Sequence, residues 1–331
     1  MGFLRQAGQW LAAAAIAMLL CNACLYGYHD PAAWIDRSNA STYAIWRPGS
    51  RIVMGTEGRG VHHVDSRGYL NPDLPLADGY TLVVGSSFTQ GKEVAAGERF
   101  VDLLNGALSD GETLAVYSVS QDGFYFPDVV ACFPALMAEF PDAETLIIEI
   151  GSVSFSDEAL TAALNRQGVD ETQRGAELLE RMPSGRKAAL YIKEAFPILT
   201  LGKQQLTAML AEERASPETA PSAEALDAAM AQIRARFSGR IIIFYHPSVQ
   251  ITPEADLEIV QEEGLELFRR ACERNGLEFL DASVRFSQAY EEDHTVPYGF
   301  PNTTMGSGHL NADGHRICAE LLLEALKGGE A

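Results

Sequence analysis

One serine and one histidine, far apart in the chain, have surroundings that suggest chemistry. Ser87 lies in Gly85-Ser-Ser-Phe-Thr89, directly after the apolar run Thr81–Val84. His309 follows a glycine-rich stretch and precedes a helix-like C-terminal segment. A serine hydroxyl becomes an effective nucleophile when a base within hydrogen-bond reach takes its proton. In α/β enzymes a serine at such a strand-to-helix turn is often a nucleophile, with the backbone N–H groups at the helix start facing an oxyanion. The alternative is that the serines only cap a helix after an ordinary strand.

The elements that must position these residues are alternating strands and helices. Short apolar runs bounded by turn formers predict strands, and amphipathic segments such as Asp128–Phe140 and Asp256–Asn275 predict helices between them. This alternation predicts an α/β fold, a three-layer doubly wound (flavodoxin-like) parallel sheet of about five strands. The predicted strands are Thr81–Val84, Thr113–Val119, Glu144–Ile150, Arg240–Tyr245 and Leu277–Leu280. Small polar residues follow the first three at the expected active edge: Ser86–Thr89, Ser118–Gly123 and Gly151–Ser154.

Two regions interrupt this pattern. Residues 29–79 are rich in turn formers and predict an extended lead-in that packs on the domain formed by residues 80–331. His62 and His63 lie there, and adjacent side chains of an extended chain point to opposite faces, which makes a shared metal site unfavourable. Residues 157–238 predict a helix-rich, charged insertion. Its apolar part, Ala188–Leu201, predicts a helix packed on the core, with a lid as the alternative.

The N-terminal segment, residues 1–28, predicts a membrane association. Trp10–Tyr28 is apolar and about as long as one membrane crossing. The absence of a good small-x-small site favours an uncleaved signal-anchor, and the alternatives are a cleaved signal peptide or a lipid-modified Cys24. Each of these sends the remaining chain across the membrane, which predicts a single-pass cell-membrane protein with an extracytoplasmic catalytic domain, or a secreted one after cleavage.

Charge and cysteine content exclude some partners and cofactors. The net charge of −20 and the pI near 4.7 argue against nucleic acid or an anionic membrane surface as a partner. Cys132, Cys272 and Cys318 show no metal-ligand spacing and predict small core residues. The sequence therefore indicates no metal ion and no cofactor.

Four blocks from Tyr80 to the C-terminus together resemble the SGNH (GDSL-like) hydrolase family. They are Gly85-Ser-Ser-Phe-Thr89, Ser118-Val-Ser-Gln-Asp-Gly123, Gly151-Ser-Val-Ser154 and the segment that begins at His309. The resemblance implies that Ser87 is the nucleophile and His309 the general base. It also implies that the backbone N–H groups of Ser87 and Gly123 form the oxyanion hole. Ser86 stands where the family has an aspartate.

One departure concerns the acid that orients the base. Gly306 stands where the family has an aspartate, three residues before His309. Loss of such an acid costs orders of magnitude in kcat in triads that have been tested. A backbone carbonyl near Gly306–Gly308, where glycines allow close approach, is one replacement. A carboxylate from elsewhere, such as Asp293, is the other.

The second departure concerns the pocket. Val153 stands where the family has the oxyanion-hole asparagine, and the hydroxyl of Ser152 or Ser154 is a possible replacement donor. His246 follows the fourth strand and is expected either to line the substrate pocket or to end the strand in a turn. His315 is expected to be structural, on the helix surface or behind the site.

Three functions remain open at this stage. The first is an extracytoplasmic serine esterase that acts on O-acyl, often acetyl, esters of cell-envelope glycans or small molecules. The second is an O-acyltransferase that works beside a membrane-bound acyltransferase, a role that the family resemblance implies. The third is a catalytically degenerate binding or assembly module, for which Val153 and Gly306 are the motivation.

Overall fold

A five-stranded parallel sheet forms the centre of the molecule. The structure is a computed structural model and describes residues 2–29, 34–36, 44–165, 180, 182–210 and 220–328. Its strands are β1 (Trp34–Asp36), β2 (Ala44–Trp46), β3 (Arg51–Met54), β4 (Gly60–His63), β5 (Leu76–Gly85), β6 (Leu114–Ser120), β7 (Thr145–Ile150), β8 (Arg240–Tyr245), β9 (Val249–Ile251), β10 (Leu257–Ile259) and β11 (Glu278–Asp281). The sheet order is β6-β5-β7-β8-β11, which is the flavodoxin-like 2-1-3-4-5 order.

Helices cover both faces of this sheet because successive strand residues point to opposite sides. In β5, Leu82 and Val84 face one core and Val83 faces the other. The helices are α1 (Gly2–Tyr28), α2 (Ser87–Gln90), α3 (Phe100–Leu108), α4 (Phe126–Glu139), α5 (Asp157–Asn165), α6 (Ser184–Ala195), α7 (Pro197–Leu210), α8 (Ala223–Arg236), α9 (Leu265–Arg274), α10 (Ser283–Asp293) and α11 (Ala312–Gly328). Buried residues of α4, α5, α8 and α9 fill the first core, and those of α3, α10 and α11 fill the second. The predicted three-layer parallel fold is confirmed.

The chain ahead of the sheet forms short antiparallel pairs, β1 with β2 and β3 with β4. The turn of the β3–β4 hairpin lies against the end of α1. The Arg51 guanidinium donates to the Tyr26 carbonyl at 3.0 Å, and that of Arg59 donates to the Gly27 carbonyl at 3.4 Å. A Cβ at Gly55 would overlap the Tyr28 carbonyl oxygen, so this glycine permits the close contact. The helix end therefore braces the hairpin turn.

α1 is long and apolar enough to cross a membrane. Within Phe3–Tyr28, an 18-residue window reaches a mean hydropathy of 1.7, and only 6% of that window is buried. A helix of this length and composition near the N-terminus suits either a membrane anchor or a signal sequence. Among the described residues, no other helix meets these criteria.

Two predicted helices differ from those observed. The helix expected over Asp256–Asn275 begins only at Leu265, after Gly264 with φ +90°, because Leu257–Ile259 pairs with β9 instead. The apolar run Ala188–Leu201 is not a packed core helix. Pro197 divides it into α6 and α7, and α6 has no buried residue. Leu190 packs, partly buried, against the first core, and Asn22 of α1 contacts the junction of α6 and α7.

Candidate active site

Ser87 lies on a tight turn between a strand and a short helix. β5 ends at Gly85, and Ser86 caps α2, its hydroxyl accepting the Phe88 N–H at 3.2 Å. Gly91 ends this helix in the left-handed conformation, φ +55°. Ser87 is partly exposed, whereas its neighbours Gly85 and Ser86 are buried. The turn therefore presents the Ser87 hydroxyl at the C-terminal edge of the sheet on a rigid support.

A buried carboxylate holds this turn from below. Glu149 in β7 accepts the Ser86 N–H at 2.7 Å and the Thr89 hydroxyl at 2.9 Å. A Cβ at Gly85 would overlap both the Thr89 hydroxyl and the Glu149 carboxylate, so the glycine is required there. Burial acts to raise the pKa of Glu149, but the hydrogen bond and charge of His246 and the donors of Ser86 outweigh it and lower this pKa below its usual value.

His246 completes the buried network. Its Nε2 lies 2.8 Å from Glu149 Oε1 and its Nδ1 lies 2.8 Å from the Tyr298 hydroxyl oxygen. The Tyr298 hydroxyl donates to the Pro247 carbonyl at 2.8 Å, so it accepts from Nδ1–H. Both ring nitrogens are therefore engaged, and these contacts fix the imidazole of His246 at the wall of the pocket.

His309 links the Ser87 hydroxyl to a carboxylate. His309 Nε2 lies 3.0 Å from Ser87 Oγ, and His309 Nδ1 lies 2.7 Å from Glu57 Oε2. The other oxygen, Glu57 Oε1, accepts the backbone N–H of His309 at 2.7 Å. This is the geometry of a nucleophile, a base and an orienting acid. Ser87 and His309, predicted as partners, are brought together across 222 residues of sequence.

The group beside His309 Nδ1 is the carboxylate of Glu57, from the turn between β3 and β4, so the position of the missing aspartate is taken by a carboxylate from elsewhere in the chain. Asp293 is exposed and accepts from Thr295, so it is not the replacement. The glycines before the base do allow close approach, but of a carboxylate rather than a carbonyl. Gly308 has φ +83°, and a Cβ there would overlap Glu57 Oε1. The lead-in of the chain therefore contributes directly to the site.

A second carboxyl group stands behind the first. Glu93 Oε1 lies 3.9 Å from His309 Nδ1, and the side chain of Glu93 is buried. Burial raises the pKa of Glu93, although the charges of His309 and Lys92 oppose this. The cluster therefore holds one ionised carboxylate, Glu57, and one carboxyl group that is more easily protonated, Glu93.

The acidic neighbours also set the pKa of the base. Burial acts to lower the pKa of His309, but the hydrogen bond to Glu57 and the charges of Glu93 and Glu57 raise it above 6.5. The pKa of Glu57 is correspondingly lowered, since its hydrogen bonds to His309 outweigh its burial. The carboxyl groups of Glu57 and Glu93 therefore favour the protonated form of the His309 imidazole.

A small pocket opens in front of Ser87. Its volume is about 130 Å³. Phe88, Tyr125 and Phe126 supply aromatic walls, and Gly123, with φ +72°, also lines the pocket. The complete lining is Ser86, Ser87, Phe88, Gly123, Phe124, Tyr125, Phe126, Ile150, Gly151, Ser152, His246, Ser248 and Tyr298. Of the residues predicted to line a pocket, Ser152 and His246 lie here.

The hydroxyl groups offered as substitutes for the missing asparagine are engaged elsewhere. Val153 is completely buried in the core, and its N–H donates to Glu262 Oε2 at 2.9 Å. The hydroxyls of Ser152 and Ser154 donate to the same oxygen, at 2.6 and 3.1 Å. Ser154 lines a neighbouring groove rather than the Ser87 pocket, because the turn wraps around Glu262. Neither serine therefore directs its hydroxyl proton toward Ser87.

The remaining histidines are structural in these surroundings. His315 is buried, not on the helix surface, and its Nδ1 accepts the Phe100 N–H at 3.2 Å. His62 is buried and bonds the Val94 carbonyl, while His63 is exposed, so the two do not form a joint metal site. Within the described ranges, the potential ligand cluster of three residues is Glu57, Glu93 and His309, the same groups that serve the serine.

Two functional positions escaped the sequence reasoning. Glu57 lies in Gly55-Thr-Glu-Gly58, a stretch that reads as an ordinary exposed turn, and 252 residues separate it from His309. Glu149 was visible as the only charged residue inside the apolar strand Thr145–Ile150. A charge in a central strand that is covered on both faces requires a buried partner, so Glu149 could have been identified and Glu57 could not.

Comparisons with known proteins gave structural similarities only. No protein-family model matches the chain, and no curated protein matches it in sequence. Similar solved structures include LAE5, an α/β hydrolase from the metagenome of Lake Arreo, Spain, with 16% identity over 76% of this chain and 95% of that chain and a TM-score of 0.41. Axe2, an acetylxylan esterase from Geobacillus stearothermophilus, has 13% identity over 75% and 94%, with a TM-score of 0.40. EstA, a psychrotrophic esterase from Pseudoalteromonas sp., has 11% identity over 76% and 98%, with a TM-score of 0.38. Because these identities and TM-scores are low, the functional argument rests on the site itself.

Proposed function

We propose that this chain is a serine ester hydrolase of the SGNH type, with Ser87, His309 and Glu57 as its catalytic triad. The observation that carries the proposal is the continuous line of contacts from Ser87 Oγ through the imidazole of His309 to Glu57, with both hydrogen bonds at 2.7–3.0 Å. It also weakens the hypothesis of a degenerate module, because that hypothesis depended on a missing acid.

The reaction begins with attack of Ser87 Oγ on the ester carbonyl carbon. His309 Nε2 takes the hydroxyl proton as the new C–O bond forms, and Glu57 accepts the Nδ1–H of the resulting imidazolium. The same proton is then given to the departing alcohol oxygen, which leaves an acyl-enzyme. Water attacks this acyl group, His309 takes the water proton, and its return to Ser87 Oγ releases the carboxylic acid.

Backbone donors are proposed to hold the negative charge of the tetrahedral intermediate. Ser87 is the first residue of α2, so its N–H has no acceptor within that helix. Gly123 lines the same pocket. The side chain of His246, also in the lining, is a further polar group beside Ser87 in the absence of the side-chain amide. One missing donor costs about 3 kcal/mol where it has been measured.

The dimensions of the pocket support a short acyl group. A cavity of about 130 Å³ closed by Phe88, Tyr125 and Phe126 leaves room for acetyl or a similarly small group next to Ser87. O-acetyl esters of cell-envelope glycans are the proposed substrates, with the catalytic domain outside the cytoplasm and tethered by α1. Acyl transfer to a glycan hydroxyl would use the same acyl-enzyme.

The test compares Ser87→Ala and His309→Ala with the native chain. We expect a fluorophosphonate probe to label the native protein and neither variant, and p-nitrophenyl acetate turnover to fall by at least about 10³-fold. Ser154→Ala, which changes a serine outside the pocket, is the matched control. Labelling that persists in Ser87→Ala, or absence of labelling and turnover in the native protein, would overturn the proposal. Adding an oligosaccharide acceptor distinguishes hydrolysis from transfer.

A further inference from the structure

The helical pair α6–α7 has a charge opposite to that of the protein. Residues 184–210 contain four basic residues against one acidic residue, in a chain whose net charge is −20. The basic residues are Arg186, Lys187, Lys193 and Lys203. The acid, Glu194, is paired with Arg47. The overall charge argued against an anionic surface as partner, but it conceals a local excess of positive charge.

The same pair of helices exposes apolar side chains in an ordered way. In α6, Ala188, Tyr191, Ile192 and Ala195 recur at spacings of three and four residues and are all exposed, which places them on one face. Tyr191 is 46% exposed and Ile192 is 57% exposed. In α7, Leu199 and Leu206 are seven residues apart and are each 58% exposed. An amphipathic element with basic and apolar exposed residues is typical of helices that lie in a membrane interface.

The element is joined to the C-terminal end of α1. The Asn22 side chain donates to the Ala195 carbonyl at 2.9 Å and accepts the Ile198 N–H at 3.2 Å, which holds the junction between α6 and α7. The Tyr26 hydroxyl donates to the Glu194 carbonyl at 3.1 Å. If α1 crosses a bilayer with Trp10–Tyr28 as its apolar span, Asn22 and Tyr26 lie about 9 and about 3 Å from the end of that span, at 1.5 Å per residue. These contacts then set α6–α7 at the boundary between acyl chains and headgroups.

We propose that α6–α7 is an interfacial membrane-binding element that recognises anionic phospholipid. Tyr191, Ile192, Leu199 and Leu206 enter the boundary between headgroups and acyl chains, and the basic side chains contact lipid phosphates. The inference rests on α1 being inserted in a bilayer and is independent of the ester chemistry. Its consequence is that the catalytic domain is held at a fixed height and orientation, because α1 and α6–α7 provide two separate points of attachment.

The test measures the depth of single labels in the full-length protein. In a Cys21→Ser/Cys24→Ser background, the remaining cysteines are buried, so a bimane label reports only an introduced cysteine. Ile192→Cys and Leu199→Cys test the element. Val284→Cys, an exposed apolar position on α10 with 64% exposure, is the matched control. Each protein is reconstituted in nanodiscs of phosphatidylcholine alone or mixed with phosphatidylglycerol, with spin-labelled lipid as quencher.

We expect strong quenching at positions 192 and 199, stronger with phosphatidylglycerol, and none at 284. Replacing Arg186, Lys187 and Lys193 by Gln lowers the docking equilibrium constant by about two orders of magnitude, since each basic group near an anionic surface contributes about fivefold. Quenching at 192 and 199 no greater than at 284 would overturn the proposal, and would show that a protein or solvent covers this face. Equal quenching in both lipid mixtures, insensitive to the Gln substitutions, would overturn the recognition of anionic lipid.

Discussion

Replacing Glu57 by Gln should disable the base without disturbing the fold. Both oxygens of Glu57 act as acceptors, one for the backbone N–H of His309 and one for its Nδ1–H. Gln has a single side-chain acceptor. With its oxygen on the backbone N–H, its amide group donates to Nδ1, which places the ring proton on Nε2. In that tautomer His309 cannot accept the proton of Ser87.

The expected loss follows from the cost of the wrong tautomer. The equivalent Asp→Asn change in a well-studied serine protease lowers kcat by about 10⁴. Glu57 is partly exposed, and water can compete with the amide for Nδ1, so we expect a fall of about 10³ to 10⁴ in kcat/KM. This corresponds to about 4–5.5 kcal/mol of transition-state stabilisation. KM and the thermal unfolding midpoint should change little.

The assay is steady-state hydrolysis of p-nitrophenyl acetate by the full-length protein in detergent. Asp293→Asn is the control, because Asp293 is an acid considered for the same role but is bonded only locally, to Thr295. It should retain native activity within about twofold. A Glu57→Gln variant that keeps more than a tenth of native kcat/KM, with an unchanged fold, would refute the assignment of Glu57 as the orienting acid.

Three further outcomes are expected. Because the neutral form of His309 is the base and its pKa is raised, kcat/KM of the native enzyme should climb with pH through a midpoint above 6.5, and this midpoint should move to lower pH in Glu57→Gln; coincident pH profiles would contradict the pairing. Glu149→Gln should lower the free energy of unfolding by about 3 kcal/mol in a denaturant titration, since it replaces a buried carboxylate that accepts from Ser86 and Thr89 and contacts His246, and a change below about 1 kcal/mol would argue against this supporting role. Gly55→Ala should reduce kcat about tenfold by displacing the turn that carries Glu57, whereas Gly27→Ala, with open space around it, should not; equal activities would mean that α1 does not brace the site.

Hydrophobic periodicity was sufficient to predict the strands of the sheet, because each strand is marked by an apolar run within its own segment of the sequence. Apolar runs of four to seven residues, three of them followed by small polar residues, identified the strands within a few positions apart from the start of β5, and parallel pairing then brought Ser87 and Gly123 to one edge. His309 was identified through the resemblance of the segment before the last helix to the family pattern. Boundaries failed where local pattern and tertiary context disagreed. Asp256–Ile259 has helix-compatible residues, but its alternating Leu257 and Ile259 pair with β9.

Contacts between segments that are distant in the sequence could not be predicted from local pattern. Nothing in Gly55-Thr-Glu-Gly58 differs from a solvent-exposed turn until the fold places it against Gly308. For Ala188–Leu201 an apolar run was assumed to need the protein core, and only Leu190 packs there. The contact of this run with the end of α1 joins two segments about 170 residues apart and has no local signal.

The position of the acid also explains the glycine at 306. Its φ is +82°, a conformation that disfavours an L side chain, and a Cβ there would lie 2.8 Å from Ile251 Cγ1. An aspartate at this position would therefore strain the loop, and Glu57 already occupies the space beside His309 Nδ1. Gly306→Asp combined with Glu57→Gln should consequently fail to restore activity. With Glu57 in place of an aspartate at position 306, the acid belongs to the β3–β4 hairpin, which contacts the end of α1 through Gly55 and Arg59. We therefore expect the proposed triad to form only when the end of the N-terminal helix contacts the β3–β4 turn. An acid in the loop before His309 would not depend on that contact.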